Sequence, residues 1–150
     1  LDMHTGYGPR YQMSLVNSPL ESRAGRALQE LFGYPLVVAA TPDEFYSIHG
    51  DMVDWFYTLA EKEFPDKHLY STAFEFGTYG DSLNASIRSM RTMINENRLH
   101  WHGAASKSIQ QQVKRDFGAL FSPHEDAWRE KALADARQAF NGILRSEGYW

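Results

Sequence analysis

Two side chains in this sequence combine a reactive type with a setting that suits chemistry. Glu75 lies in the stretch 68–80, HLYSTAFEFGTYG, which alternates as a β-strand does. Tyr70, Thr72, Phe74 and Phe76 fall on one face, and Leu69, Ser71, Ala73 and Glu75 on the other. Ser71 and Ala73 are small and leave room in front of the carboxylate. Gly77 and Gly80 break the strand just past Glu75, at the end where ligands bind in open α/β sheets. A carboxylate so placed suits general acid–base work; the alternative is a solvated or structurally paired Glu. His4 closes a short strand over 1–4 and is followed at once by a Gly-rich turn, which exposes an imidazole at the rim of a sheet. There it is either a zinc ligand or a hydrogen-bonded loop residue. Arg10, just past that turn, is placed to bind an anionic group of a substrate or to sit solvated at the surface. The other histidines carry less. His100 and His102 flank Trp101, and an i, i+2 pair diverges on a helix, so the two cannot chelate one ion. His49, His68 and His124 have no partner at ligand spacing. No HExxH, phosphate-cradling glycine loop or GxSxG elbow is present.

The elements that must hold these groups follow from periodicity and punctuation. Besides the strands over 1–4 and 68–76, a short strand is expected over 12–16. A further one, buried on both faces, is expected over 35–40, PLVVAA. Ser18-Pro19-Leu20-Glu21, Thr41-Pro42-Asp43-Glu44 and Ser122-Pro123-His124-Glu125 each place a capping hydroxyl first, Pro next and Glu at the third helical position. Each predicts a helix start, and the first helix should run over 19–32, stopped by Gly33. The span 51–63 is helical, with Met52, Trp55, Phe56 and Leu59 as its apolar stripe. Asp81 caps a long helix whose buried side is marked by Leu83, Ile87, Met90, Ile94 and Leu99, ending at Gly103. Ile109, Val113, Phe117 and Leu120 line the next helix, and Trp128, Ala132, Ala136, Phe140, Ile143 and Leu144 the last. The expected fold class is α/β, with a mainly parallel or mixed sheet followed by a helical C-terminal cap. One domain results, its residues 1–80 forming the sheet and site half and 81–150 a helical extension.

Composition narrows the function classes. At 150 residues, with 43% hydrophobic residues, the chain can build one real core. The net charge of −4 is mild and not gathered into a block, which argues against a nucleic-acid partner. No apolar run approaches the ~20 residues of a membrane span, so no membrane partner is expected and a cytoplasmic location is. The absence of cysteine excludes disulfides, thiol catalysis and thiolate-held metals.

Taken together, the blocks resemble zinc metallocarboxypeptidases. LDMHTG is similar to the strand that carries that family's third zinc ligand, with a small hydroxyl residue, here Thr5, following it. YSTAFEFG is similar to the strand that ends in its general acid/base. The segment 46–57, YSIHGDMVDWFY, resembles its substrate-capping segment, with Gly50, Asp54, Trp55 and Tyr57 matching. The tail, with LHWHG and LFSPHEDAW, is similar to a bacterial branch of the clan whose substrates are unassigned. The resemblance implies a Zn2+ cofactor with His4 as one ligand and Glu75 as acid/base. It further implies Tyr46 as a mobile tyrosine closing over substrate, Thr5 beside the metal, and Val53 setting the side-chain preference of the pocket. The implied reaction is removal of a C-terminal amino acid from a peptide. Hydrolysis of an N-acyl amino acid and a catalytically inactive peptidase-like binding module are the alternatives. The family's other zinc ligands come from an HxxE motif upstream of the His4 strand, and none occurs in these residues. Arg10 is not a counterpart of its carboxylate-binding arginines. The expectation is therefore that an upstream segment carrying HxxE completes sheet and site, and that without it the chain exposes apolar sheet surface.

Overall fold

The computed structural model describes residues 1–45 and 50–149. Four strands, β1 (Asp2–Gly6), β2 (Ser14–Asn17), β3 (Val37–Ala39) and β4 (Thr72–Gly77), form one open sheet in the order β1-β4-β2-β3. Five helices complete the described residues: α1 (Gly25–Phe32), α2 (Met52–Glu63), α3 (Leu83–His102), α4 (Lys107–Phe121) and α5 (Asp126–Ser146). The fold is α/β and the sheet is mixed. β1 runs parallel to β4 and β3 parallel to β2, but β2 and β4 are antiparallel. Among the described residues no helix is long and apolar enough to cross a membrane.

Strand alternation gives the sheet two unlike faces. Leu15, Val37 and Phe74 turn to one face and join Met13, Leu28, Phe32, Tyr34, Ala139 and Ile143 in a core against α1 and α5. Burying each Val, Leu, Ile, Phe or Met side chain of this core contributes ~1.5–3 kcal/mol. α5 comes so close to the end of α1 that a Cβ on Gly142 would stand 1.9 Å from the Phe32 carbonyl oxygen. The opposite face carries Asp2, His4, Ala73 and Glu75, with the first turn of α2 over it.

Several sequence expectations change. The stretch 35–40 contributes only Val37–Ala39, at the edge of the described sheet, and Val38 and Ala39 are half-buried rather than enclosed on both faces. The first helix starts at Gly25, not Pro19: Ser18 Oγ accepts from the Leu20 amide in a local turn, and Glu21 binds Arg23 instead of capping. Thr41-Pro42-Asp43-Glu44 makes a single turn, closed by the Phe45 amide on the Thr41 carbonyl. α5 begins at Asp126 because Glu125 is drawn off by Arg10 and Tyr11. Ser82, not Asp81, caps α3, its hydroxyl accepting from the Ala85 amide.

The largest corrections concern helix faces. On α2 the expected stripe is largely exposed, Trp55 by 55% and Met52 by 48%, with Leu59 half-buried, while Val53 is the buried residue. On α3 Leu83, Ile87, Met90 and Ile94 are all exposed, and the small residues Ala85 and Thr92 are buried instead. Ile109 of α4 and Phe140 of α5 are also exposed, whereas Leu120 and Ile143 are buried as expected. A helical period identifies a stripe but not the surface that covers it.

Candidate functional site

β1 and β4 lie side by side with His4 in register with Glu75 and Asp2 with Ala73. In a parallel pair, partners in register point to the same face, so two strands distant in sequence deliver an imidazole and two carboxylates to one surface. They floor a cavity of about 210 Å3, walled by Val16, Ser18 and Ala40 and roofed by Asp51, Met52 and Val53 at the start of α2. Asp51 caps that helix, its carboxylate accepting from the Asp54 amide at 2.7 Å. Tyr57 fixes the helix over the sheet. Its hydroxyl donates to Glu21 at 2.7 Å and accepts from the Ser71 amide at 3.3 Å.

Glu75 is only 4% exposed. Burial pushes its carboxyl above the usual carboxylate range; the Tyr7 amide bond and the nearby His4 pull the other way, and the Asp2 charge adds to the rise. That amide reaches Glu75 Oε1 at 3.2 Å because β1 ends at Gly6, where φ of 145° turns the chain across the end of β4. The turn is held by the Thr78 amide and hydroxyl, which both donate to the Gly6 carbonyl. The Gly8–Pro9 loop then packs directly on Gly77, where a Cβ would stand 2.1 Å from the Gly8 carbonyl oxygen. Glu75 thus sits in a rigid corner with one oxygen anchored.

His4 faces the cavity with its side chain 51% exposed, and its Nε2 lies 2.6 Å from Asp2 Oδ2. That bond to His4 holds the Asp2 carboxyl below its usual value. An ionised carboxylate only accepts, so Nε2 carries the proton and a neutral His4 keeps the Nδ1 lone pair free. Asp2 went unnoticed in the sequence, although its i, i+2 spacing to His4 on a strand places both on one face.

The remaining expected site residues separate. Val53 is buried and lines the cavity. Thr5 does not: it pairs in register with Phe76, and alternation turns its side chain away from His4 and Glu75. Arg10 is not brought to the cavity either. Its guanidinium is bound by Glu125, against α5 beside Trp128. Tyr46 lies outside the described residues. Among the described residues no group of three His, Asp or Glu side chains is placed to hold a metal ion. A catalytic zinc takes three protein ligands and one open position, so His4 with its neighbours does not fit a complete zinc centre.

Residues 1–135 match the family described as protein of unknown function DUF2817. The chain belongs to that family. No curated protein and no solved structure matches it. The matched span takes in the whole sheet, the cavity and the greater part of the helical extension of this DUF2817 member.

Proposed function

We propose that this DUF2817 member is a hydrolase of the zinc metallocarboxypeptidase type, cleaving a C-terminal amino acid from a peptide, with Glu75 as its general acid/base. The observation that carries the reading is a buried carboxylate of raised pKa, anchored through one oxygen and in register with an exposed imidazole on a cavity floor. A carboxyl shifted toward neutrality can take a proton from an attacking water and return it to the leaving amine. The Tyr7 amide holds one oxygen of Glu75 and leaves the other for the proton. Val53 and Met52 bound the space for the substrate side chain and favour an apolar one. When bound, zinc would polarise the scissile carbonyl and acidify water. His4 is the residue of this chain that would donate to it, and in this proposal the further donors belong to a segment outside residues 1–150.

The test uses the full-length protein incubated with zinc and a panel of peptides and N-acyl amino acids, with free amine as readout. Peptide hydrolysis that drops about 10²–10⁴-fold in Glu75→Gln at unchanged zinc content is expected. Selective turnover of the N-acyl amino acids would move the substrate class to deacylation. Unchanged turnover in Glu75→Gln would remove that residue from the mechanism. Absence of hydrolysis of both classes by the zinc-loaded protein would leave a binding module.

A further inference from the structure

The apolar stripe of α3 is not a random scatter. Leu83, Ile87, Met90, Ile94, Asn97 and Trp101 succeed one another at spacings that alternate four and three residues, the seam of a coiled coil. All of them are exposed, Leu83 by 76% and Trp101 by 70%. At 1.5 Å per residue the seam is about 27 Å long. Its N-terminal part opens onto an apolar groove of about 280 Å3 between α3 and the end of α4, lined by Tyr7, Met90, Met93, Leu120 and Phe121. Flexible Met side chains in such a groove adapt to an incoming apolar side chain.

Charge identifies what the seam accepts. The span 83–121 carries six Lys and Arg against two Asp and Glu, whereas the whole chain has 15 against 19. Arg91 and Arg98 each follow a seam residue by one position, flanking the contact strip, and both are exposed. Among the described residues neither pairs with a carboxylate; Arg88 on the same helix lies over the Tyr79 ring, 3.9 Å from its centroid. A second copy of α3 would set arginines against arginines. A lipid surface gains nothing from Asn97 in the middle of the strip, whereas a polar residue at one seam position sets register between two helices.

We infer that α3, with its groove against α4, is the docking site for an amphipathic helix of a partner protein whose seam is flanked by Asp and Glu. The complex pairs 3-4 packing along Leu83–Trp101 with acidic groups on Arg91 and Arg98, a helix-in-groove mode of recognition.

The experiment titrates the full-length protein into two fluorescein-labelled amphipathic peptides, alike in their Leu seam, one flanked by Glu and the other by Lys. The Glu peptide binds, salt-sensitively, at least about tenfold more tightly than its Lys twin. Ile87→Ser with Ile94→Ser weakens it by about tenfold or more with circular dichroism unchanged. Arg91→Glu with Arg98→Glu reverses the preference between the peptides. Equal affinity for both peptides, or no binding of either, overturns the inference. Seam-dependent dimerisation in sedimentation would assign the face to a second copy, and seam-dependent binding to phosphatidylserine vesicles without peptide binding would assign it to a membrane. Either result overturns the inference as well.

Discussion

Gly77 is the position where the fold and the candidate site depend on the same atom. It ends β4 two residues after Glu75, its carbonyl accepts from Trp128 Nε1 of α5 at 2.8 Å, and the Gly8–Pro9 loop lies on its α-carbon. A Cβ there would meet the Gly8 carbonyl oxygen at 2.1 Å and the Pro9 carbonyl oxygen at 2.4 Å. Ordinary van der Waals contact begins at 3.4 Å, so the loop must retreat by more than an ångström. The obstacle is backbone and cannot rotate away. Gly77→Ala gains ~0.4–1 kcal/mol from a less flexible unfolded chain, against ~1–3 kcal/mol or more for overpacking. The clash wins, by about 1.3 kcal/mol, which at this chain length lowers Tm by ~3–5 °C. Gly118 on α4 is the internal control, since a Cβ there meets nothing within 4 Å. Gly118→Ala should raise stability by ~0.5–1 kcal/mol through helix propensity alone. Thermal melts of the two variants should therefore move in opposite directions. Retreat of the loop also pulls the Tyr7 amide off Glu75, so amide exchange at Tyr7 should speed up in Gly77→Ala. A Gly77→Ala protein as stable as its parent would refute the close approach and with it the rigid corner around Glu75.

Gly142→Ala should destabilise as well, because its Cβ would stand 1.9 Å from the Phe32 carbonyl oxygen. Urea unfolding should show a loss of ~1–3 kcal/mol rather than the gain that helix propensity alone would give. Glu75 has a raised carboxyl pKa, so its ionised form is disfavoured in the fold. Glu75→Gln should therefore be the more stable protein at neutral pH, with the difference closing as pH falls toward 4.5; a parent more stable than the variant at neutral pH would contradict this. Glu21 has the opposite sign. Burial pushes its carboxyl up, but the Arg23 bonds and the Tyr57 hydroxyl outweigh it and hold it at about 2. Its contribution is complete above pH 4.5 and disappears as pH falls toward 2, so Glu21→Gln should lower Tm at pH 7 and match its parent in strong acid. Asp2→Ala removes the acceptor that holds the proton on His4 Nε2, so nitrogen NMR of the imidazole at fixed pH should show the tautomer balance of the ring changed; an unaltered ring would deny the pair.

The face of β4 that carries Glu75 was settled by local pattern, because side chains alternate strictly along a strand and Tyr70, Thr72, Phe74 and Phe76 claim the core side. Glycine punctuation located the helical ends at Gly33 and Gly103, where φ of 62° and 73° suits glycine, whereas β1 does not close at His4 as expected but runs on to Gly6. Three capping patterns misled for one shared reason, Glu44 among them, whose carboxylate accepts from the Ala39 amide at 2.9 Å. Side chains able to cap a helix formed other bonds, Glu21 with its neighbour Arg23 and with Tyr57, and Glu125 with Arg10 and Tyr11; Tyr57, Arg10 and Tyr11 are brought up by tertiary structure. Strand order was equally beyond local pattern. That β4 lies between β1 and β2, putting His4 opposite Glu75 and reversing β2, is a matter of which backbone edges meet, and nothing in the alternation of one strand names its neighbour. The fate of Arg10 and Thr5 followed from it, one drawn to α5 and the other turned to the core side. On α3 the period was legible and the burial was not. An apolar stripe is a property of one helix, whereas its covering is a property of two surfaces, and here packing chose the small Ala85 and Thr92 and left the large side chains outward.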